Sequence, residues 1–270
     1  MSAHHASSLS SRPQAGALEV RLLGLVDFDA ALGLQEWLTY EVGGRVDGNG
    51  VLLLCEHPPL ISVGREGSRG QILAEEHELN SCEMPIRWVS RSGGAVVHMP
   101  GQLAVYLMLP LDRRCIGLDE FRTRFESALL NVCHDLRVPA KRIDGGSGLW
   151  TRGGQVGHFG VAVKSWISQQ GMWLNVCPEA SFLRLVRSEL PTGPEDACMA
   201  QRRRQAGSGL VEERVTSLQD QLLRRVTMHA AREATIRRVA EAFGFDTVHP
   251  FSGHPQLTRT RQRVCVSAGR

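Results

Sequence analysis

The run of residues 91–102 contains the residue types best suited to bind a reacting group. It opens with Arg-Ser-Gly-Gly at 91–94 and closes with His-Met-Pro-Gly-Gln at 98–102. Adjacent glycines accept positive φ and let a ligand lie against bare backbone, where amide N–H groups bind a carbonyl or phosphate oxygen. Arg91 is expected to add a cation at the mouth of this loop. The alternative is a tight Gly-Gly hairpin without a ligand.

Apolar patterns predict the strands and helices that must position this loop. Alternating or continuous apolar runs predict strands at 18–22, 51–55, 60–64, 87–90, 95–109, 145–151, 156–163 and 173–176. Helical spacing predicts helices at 28–42, 118–136 and 218–243. We therefore expect an α+β fold, a mixed sheet flanked by helices, with a cleft floored by the strands at 91–106 and 150–163.

Composition excludes several classes of protein. The chain has 270 residues, 42% hydrophobic and 22% charged, enough for one sizeable core. Its apolar runs are shorter than the roughly 18 residues that cross a bilayer, and its first residues lack a signal-peptide core, so a cytoplasmic protein is expected. Seven cysteines without a C-x-x-C pair suggest neither a disulfide framework nor a zinc site. No metal and no cofactor are expected.

Four ordered blocks resemble the lipoyl(octanoyl) transferases, within the biotin and lipoate protein ligase superfamily. The blocks are Glu-His-Pro-Pro at 56–59 with Gly-Arg at 64–65, the run 91–102, Gly-Leu-Trp at 148–150 leading to Gly-Val at 160–161, and Gly-Met-Trp-Leu-Asn-Val at 171–176. The resemblance implies the catalytic-domain fold of that superfamily and octanoyl transfer from acyl carrier protein to a lipoyl-domain lysine, a step of protein lipoylation and lipoate biosynthesis.

The resemblance also implies a cysteine nucleophile and a catalytic lysine, and this chain lacks both. The family's Pro-Cys-Gly turn aligns on Pro-Thr-Gly at 191–193, so Thr192 holds the nucleophile position. The family's lysine aligns on Gln155, which cannot titrate. Threonine is a poor nucleophile without an adjacent base, so transfer through a covalent acyl-enzyme intermediate is predicted to be severely impaired.

Two residues are candidate substitutes for the missing groups. Cys198 lies six residues beyond Thr192, although a small buried hydrophobe is the alternative interpretation. His158 could act as a base toward Thr192, although a lone strand histidine is more often structural. The only lysines, Lys141 and Lys164, fall outside the family's catalytic position. Transfer without a covalent intermediate, by alignment of the two substrates alone, stays open.

The predicted substrate-binding residues come from three of the resembling blocks. They are Arg91, Ser92, Gly93, Gly94, Ala95, Val96, Val97, His98, Gly101, Gln102, His158, Phe159, Gly160, Gly171, Met172 and Trp173.

The chain is expected to have a disordered tail at 1–17, an acyltransferase or ligase-like domain at 18–199 and an Arg-rich helical extension at 200–270. From residue 200 onward there are 13 arginines and 6 acidic residues. Such a tail could attract an acidic carrier protein, or it could be a solvated helix face. The expected partners are acyl carrier protein and lipoyl-domain proteins, with no nucleic acid and no membrane.

Three functions stay open at this point. The first is a divergent octanoyltransferase, an acyltransferase that uses the loop at 91–102 as an acyl cradle. The second is a catalytically silent relative that binds acyl carriers or lipoyl domains, which Thr192 and Gln155 favour. The third is an ATP-dependent lipoate-protein ligase, because Arg-Ser-Gly-Gly-Ala-Val at 91–96 also resembles that family's adenylate loop.

Overall fold

The structure is a computed structural model that describes residues 16–143, 146–187, 214–222 and 225–257. A seven-stranded sheet is built from β1 (Gly16–Leu25), β2 (Gly50–Glu56), β6 (Gln102–Met108), β7 (Leu149–Thr151), β8 (Gly154–Lys164), β9 (Ile167–Asn175) and β10 (Phe245–Ser252). Its strand order is β10-β1-β2-β6-β9-β8-β7, with β1 parallel to both of its neighbours and the remaining pairs antiparallel.

A second sheet of three short strands lies beside the first. It consists of β3 (Leu60–Val63), β4 (Ile86–Trp88) and β5 (Ala95–His98), in the order β4-β3-β5. Within the described ranges, five helices surround the sheets: α1 (Phe28–Gly44), α2 (Glu76–Ser81), α3 (Leu118–Asp135), α4 (Ala180–Leu183) and α5 (Met228–Phe243). The predicted α+β class with a mixed sheet is confirmed.

Each face of the large sheet packs against helices. On one face, α3 buries Phe121, Phe125, Leu129 and Val132 in a core that α5 shares. On the other face, α1 packs in a second core with side chains of β2 and β6. The i, i+4 spacing of the buried α3 residues produces its apolar stripe. The large sheet thus has a hydrophobic core on each of its two faces.

Local sequence explains where α1 and α5 begin and end. The Asp27 side chain accepts from the Ala30 amide at 3.0 Å and caps the start of α1. Thr227 caps α5 in the same way, through its hydroxyl and the amide of Ala230. Gly244 ends α5 in the left-handed conformation, with φ 67°.

Two predictions about the C-terminal region are corrected. A single helix over 218–243 is wrong, because the helix begins at Met228 and Gln219–Gln221 form one 3₁₀ turn. The second miss is β10, whose mostly exposed residues have no strand-like alternation but pair in parallel with β1. The described part of the predicted extension therefore joins the large sheet and its core.

Further elements differ from the prediction at their ends. The first strand begins at Gly16, inside the region expected to be a disordered tail, and β9 begins at Ile167 instead of Trp173. Residues 1–15, Thr192 and Cys198 lie outside the described residues. No helix in the described ranges is long and apolar enough to cross a membrane.

The three arginines of α5 hold the helix against the body of the protein. Arg237 and Arg238 form ion pairs with Asp135 of α3 at 2.7 Å and 2.6 Å. Arg232 pairs with Glu56 at the end of β2, at 2.5 Å. All three arginines therefore form ion pairs with acidic residues of the protein itself. An acidic partner would have to be attracted by other basic residues.

Candidate active site

The two glycine-rich segments identified in the sequence meet in the structure. The Ser92 amide donates to the Val161 carbonyl at 2.9 Å, and the Ser92 hydroxyl accepts from the Val161 amide at 3.0 Å. These two bonds dock the loop at 91–94 against β8. The loop and the strand thus share one junction, although about 70 residues of chain separate them.

Two glycines permit this close approach. A Cβ on Gly64 would lie 2.2 Å from the Gly93 carbonyl oxygen, and a Cβ on Gly160 would lie 2.9 Å from both Arg91 Cδ and the Ser92 carbonyl oxygen. Neither position has room for a side chain. The amides of Gly93 and Gly94 donate to no residue in the described ranges, so their N–H groups are available to a ligand oxygen.

Arg91 lies beneath the loop, so the prediction of a cation at its mouth is wrong. Its side chain is 0% exposed, and its guanidinium carbon lies 4.8 Å from the Trp173 ring centroid. One guanidinium nitrogen donates to the carbonyl and the hydroxyl of Ser62, at 3.0 and 2.8 Å. The other donates to the Ser92 carbonyl at 2.9 Å. Carbonyl acceptors and an aromatic face replace water here, so Arg91 supports the loop from inside.

His98 belongs to a continuous hydrogen-bond chain under the same loop. Its Nε2 is 2.7 Å from the Ser62 hydroxyl, and its Nδ1 is 2.9 Å from Gln102 Oε1. The Gln102 amide then donates to Asn175 Oδ1 at 2.9 Å, and the Asn175 amide donates to the Thr216 carbonyl. Burial holds the pKa of His98 well below its usual value. His98 and Gln102 thus bind other protein groups, at a place where substrate contacts were expected.

A second buried chain runs through the neighbouring strands. The Trp173 indole donates to the Tyr106 hydroxyl at 3.0 Å, and that hydroxyl lies 2.7 Å from His57 Nε2. His57 Nδ1 is 2.8 Å from the Val26 carbonyl. Burial lowers the pKa of His57 to about 4, so it is neutral at pH 7. Each polar group in this chain has a partner.

Sequence reasoning assigned no role to Ser62, His57, Tyr106 or Asn175, although each lies in or beside a resembling block. The available signal was a polar residue in a buried strand, as with Ser62, the one polar residue of β3, and Asn175 at the end of β9. Buried polar groups are almost always hydrogen-bonded, which makes such positions informative.

Gln155, which the resemblance assigns to the family's lysine position, is held in place by backbone carbonyls. Its side chain is 1% exposed, and its amide nitrogen donates to the carbonyls of Ser147 and Gly157, both at 3.3 Å. Its Oε1 is buried and has no partner in the described ranges. An amide in this place has no titratable proton, so Gln155 cannot exchange protons with a substrate.

His158 lies on β8 opposite Trp173 and two residues before Gly160. It is 4% exposed, and its Nε2 is buried without a hydrogen-bond partner in the described part of the chain. Burial, with a smaller contribution from the positive charge of Arg91, lowers the pKa of His158 to about 3. The imidazole is therefore neutral at pH 7, and at this pKa it is a weak proton acceptor.

Other predicted binding residues pack in the protein interior. Met172 and Phe159 belong to the core on the α3 side, where the Arg122 guanidinium lies 5.6 Å from the Phe159 ring centroid. Val96 packs on the α1 side. Ala95 and Val97 lie in the core of the small sheet.

Two predicted glycines have structural roles in this arrangement. Gly101 has φ 89°, and a Cβ there would lie 2.4 Å from the Cys177 carbonyl oxygen. A Cβ on Gly171 would lie 2.1 Å from the Val105 carbonyl oxygen. Of the predicted binding set, Ser92, Gly93, Gly94, Gly160 and His158 are the residues at the junction of the loop and β8.

In the described ranges, no group of three or more His, Cys, Asp or Glu residues is arranged to hold a metal ion.

Comparison with known proteins identifies the family. Residues 27–240 match the family model described as the lipoyl protein ligase A/B catalytic domain. An octanoyltransferase of Geotalea uraniireducens is 39% identical over 164 residues, 60% of this chain and 73% of the relative. An octanoyltransferase of Citrifermentans bemidjiense is 36% identical over 170 residues, 63% of this chain and 79% of the relative.

Solved structures support the fold. A bipartite lipoate protein ligase from Thermoplasma acidophilum superposes with a TM-score of 0.63 at 14% identity, covering 90% of this chain and 88% of the other. A lipoate-protein ligase A bound with ATP has the same TM-score and identity, with 88% and 90% covered. At this identity the likeness concerns the fold alone.

The sequence-based expectation of an acyltransferase in protein lipoylation is thereby confirmed at the level of the family. The named relatives at 36–39% identity are octanoyltransferases, which favours transfer over ATP-dependent ligation. On these matches, the chain belongs to the lipoyl protein ligase A/B catalytic-domain family, among its octanoyltransferase members.

Proposed function

We propose that this protein transfers an octanoyl group from the thioester of an acyl carrier protein to a lysine amine of a lipoyl domain. The observation that carries the proposal is the junction of the loop at 91–94 with β8. There, the amides of Gly93 and Gly94 donate to no acceptor among the described residues, while buried Arg91 holds the loop in place.

This geometry suits a thioester carbonyl. Two adjacent amide donors bind a carbonyl oxygen and stabilise the negative charge that develops on it during attack. Because Ser92 is fixed to Val161 by two hydrogen bonds, the donors are positioned before the substrate arrives. Preorganised donors and alignment of two bound substrates contribute to the rate without a covalent intermediate.

The test is incubation of the purified protein with octanoyl-acyl carrier protein and a lipoyl domain, followed by mass spectrometry of the lipoyl domain. Octanoylation without ATP supports the proposal. Octanoylation that requires ATP identifies a ligase instead. Variant Ser92→Ala removes the hydroxyl that accepts from the Val161 amide and should lower the transfer rate, and Ser81→Ala, at an exposed serine on α2, is its matched control.

A second function, a catalytically silent acyl binder, is favoured by Gln155. In the described part of the site, Gln155 replaces the lysine and the nearby histidines His98 and His158 are neutral by burial. No described group there exchanges protons near pH 7. Tight binding of octanoyl-acyl carrier protein with no mass change in the lipoyl domain would support this function and contradict transfer.

A further inference from the structure

The His158 imidazole is a buried polar group that makes no hydrogen bond within the described part of the fold. Neither of its ring nitrogens makes a hydrogen bond to a described residue, and Nε2 is fully enclosed. His57 and His98, buried equally deeply, use both ring nitrogens. Leaving a buried polar atom unpaired is unfavourable, so such atoms in native proteins call for a specific explanation.

The position of His158 puts this imidazole at the junction. Side chains two residues apart on a strand share a face, so His158 lies on the same face of β8 as Gly160. A Cβ on Gly160 would meet Arg91 Cδ, the Ser92 carbonyl oxygen and the Trp173 ring, each at 2.9 Å. His158 is thus next to the loop whose Gly93 and Gly94 amides are available.

The groups that face His158 determine its charge. Arg91 is the nearby charged group, and His98 is the titratable neighbour that His158 also influences. A cation and a low-dielectric setting both disfavour an imidazolium. A neutral imidazole still has one N–H to donate, and it does so without exchanging a proton with solvent.

We infer that His158 donates a hydrogen bond from Nε2–H to the carbonyl oxygen of the bound acyl group, as a third donor beside the Gly93 and Gly94 amides. This inference deepens the proposed function and rests on it. It assigns His158 to the stabilisation of charge on the acyl oxygen, and not to the general-base role that the sequence suggested.

The step balances in atoms and electrons. The acceptor lysine amine attacks the thioester carbonyl carbon, a C–N bond forms, and the carbonyl oxygen becomes negatively charged. The His158 N–H and the two glycine amides donate to that oxygen. The C–S bond then breaks, the carbonyl re-forms, and the sulfur leaves as a thiol with the proton lost by nitrogen.

The first test compares His158→Phe, which fills the space without a donor, with His158→Gln, which keeps an N–H. The control is His77→Phe, an exposed histidine on α2. We expect kcat for octanoyl transfer to fall roughly 100-fold in the Phe variant with little change in KM, because one donor to an oxyanion contributes about that factor. The Gln variant should recover at least part of the loss, and the pH profile between 6 and 9 should be unchanged.

Equal kcat in wild type and the Phe variant would overturn the inference, as would a Gln variant no better than the Phe variant. A pH profile that shifts in the Gln variant would indicate proton transfer by His158 and would also overturn it. Thermal unfolding of each variant identifies any loss of activity that comes from loss of fold.

A second test works even if no transfer occurs. Calorimetry measures the affinity of the protein for two probes. The first is the amide analogue of octanoyl-pantetheine, in which NH replaces the thioester sulfur and the carbonyl is kept. The second is S-octyl pantetheine, a thioether without a carbonyl. The Phe substitution should weaken binding of the amide roughly tenfold and leave the thioether unchanged, since one neutral hydrogen bond contributes about that factor. Equal losses for both probes would refute the inference, whereas a selective loss in an inactive protein would refute only the proposed transfer.

Discussion

Two regions of the site differ in how their buried polar groups are hydrogen-bonded. The first is the set of residues under the glycine loop, Arg91, His98 and Gln102, which we call the scaffold, and the second is the middle of β8. In the scaffold, Arg91, His98 and Gln102 each have hydrogen-bond partners among buried residues. On β8, buried Oε1 of Gln155 and Nε2 of His158 are without partners in the described ranges. The contrast indicates that the scaffold maintains the loop, whereas β8 carries two buried polar atoms that lack partners among the described residues.

The same two regions differ in how closely they follow the family pattern. The residues of the scaffold match the resembling blocks, and Gln155 marks the point on β8 where the chain departs from them. The described departure from the family pattern therefore lies on β8, while the support for the loop is intact. The experiments below test this division, from the largest expected effect to the smallest.

Restoring the family's residues should produce the largest change. With Thr192→Cys and Gln155→Lys together, we expect ATP-independent octanoyl transfer to rise at least about 100-fold, because a thiol nucleophile activated by a cation replaces an inactive hydroxyl. The Ser147 and Gly157 carbonyls that now bind Gln155 would accept from the lysine amine. The rate is measured by mass spectrometry of the lipoyl domain.

The matched control for that experiment is Thr192→Cys with Gln155→Met, which restores the thiol without the cation. If the Cys/Lys variant folds and gains no more than this control, the scaffold does not support the family's chemistry. That outcome would favour the silent acyl binder.

Removing Arg91 should destabilise the scaffold. Arg91→Ala leaves the Ser62 and Ser92 carbonyls without their donor and opens a space against Trp173. We expect the free energy of unfolding, from urea denaturation, to fall by about 3 kcal/mol. Octanoyl transfer should fall with it.

The control for Arg91 is Arg87→Ala, which removes an exposed ion pair with Asp29. That pair should contribute less than about 1 kcal/mol. Equal effects of the two substitutions would contradict a supporting role for Arg91.

Acid should destabilise the protein through its buried histidines. Unfolded histidines have a pKa of about 6.5. The folded pKa is about 4 for His57 and about 3 for His158 because both are buried. Between pH 6.5 and 4 the unfolded chain therefore binds protons that the folded protein excludes, so stability falls as pH falls, by up to about 1.4 kcal/mol per pH unit for each histidine.

Urea denaturation over this pH range measures the slope of the free energy of unfolding against pH. His158→Phe should flatten the slope by the share of one histidine. A stability independent of pH between 6.5 and 4 would contradict the placement of these histidines in the interior.

The smallest effect is expected at the contact between α3 and α5. Asp135→Asn weakens the bonds to Arg237 and Arg238, which hold the pKa of Asp135 well below its usual value. Because Arg237 is half exposed, the loss should be about 1 kcal/mol or less in urea denaturation. A loss above about 3 kcal/mol would place this contact among the main determinants of the fold.

Sequence patterns predicted the elements with strong apolar periodicity. Helix α3 and strand β2 were predicted close to their observed bounds, because their burial follows the period of the element. Strand β10 was missed because its side chains are exposed and its pairing with β1 is made by backbone, which leaves no periodic signal.

The candidate site was predictable in its residues but less so in their roles. The motifs located Ser92, Gly93, Gly94 and Gly160 at the junction. They could not show that Arg91 points inward, because an arginine beside glycines looks the same in sequence whether water or carbonyls surround it. Nor could they show that His158 is neutral, since its pKa depends on burial by distant strands.

The central claim, that this chain transfers an octanoyl group, is tested most directly by a single-turnover reaction of stoichiometric protein, octanoyl-acyl carrier protein and lipoyl domain in the absence of ATP. We expect the lipoyl domain to gain one octanoyl group as the carrier loses its own. A carrier that stays acylated while bound to the protein, with the lipoyl domain unchanged in mass, would contradict it.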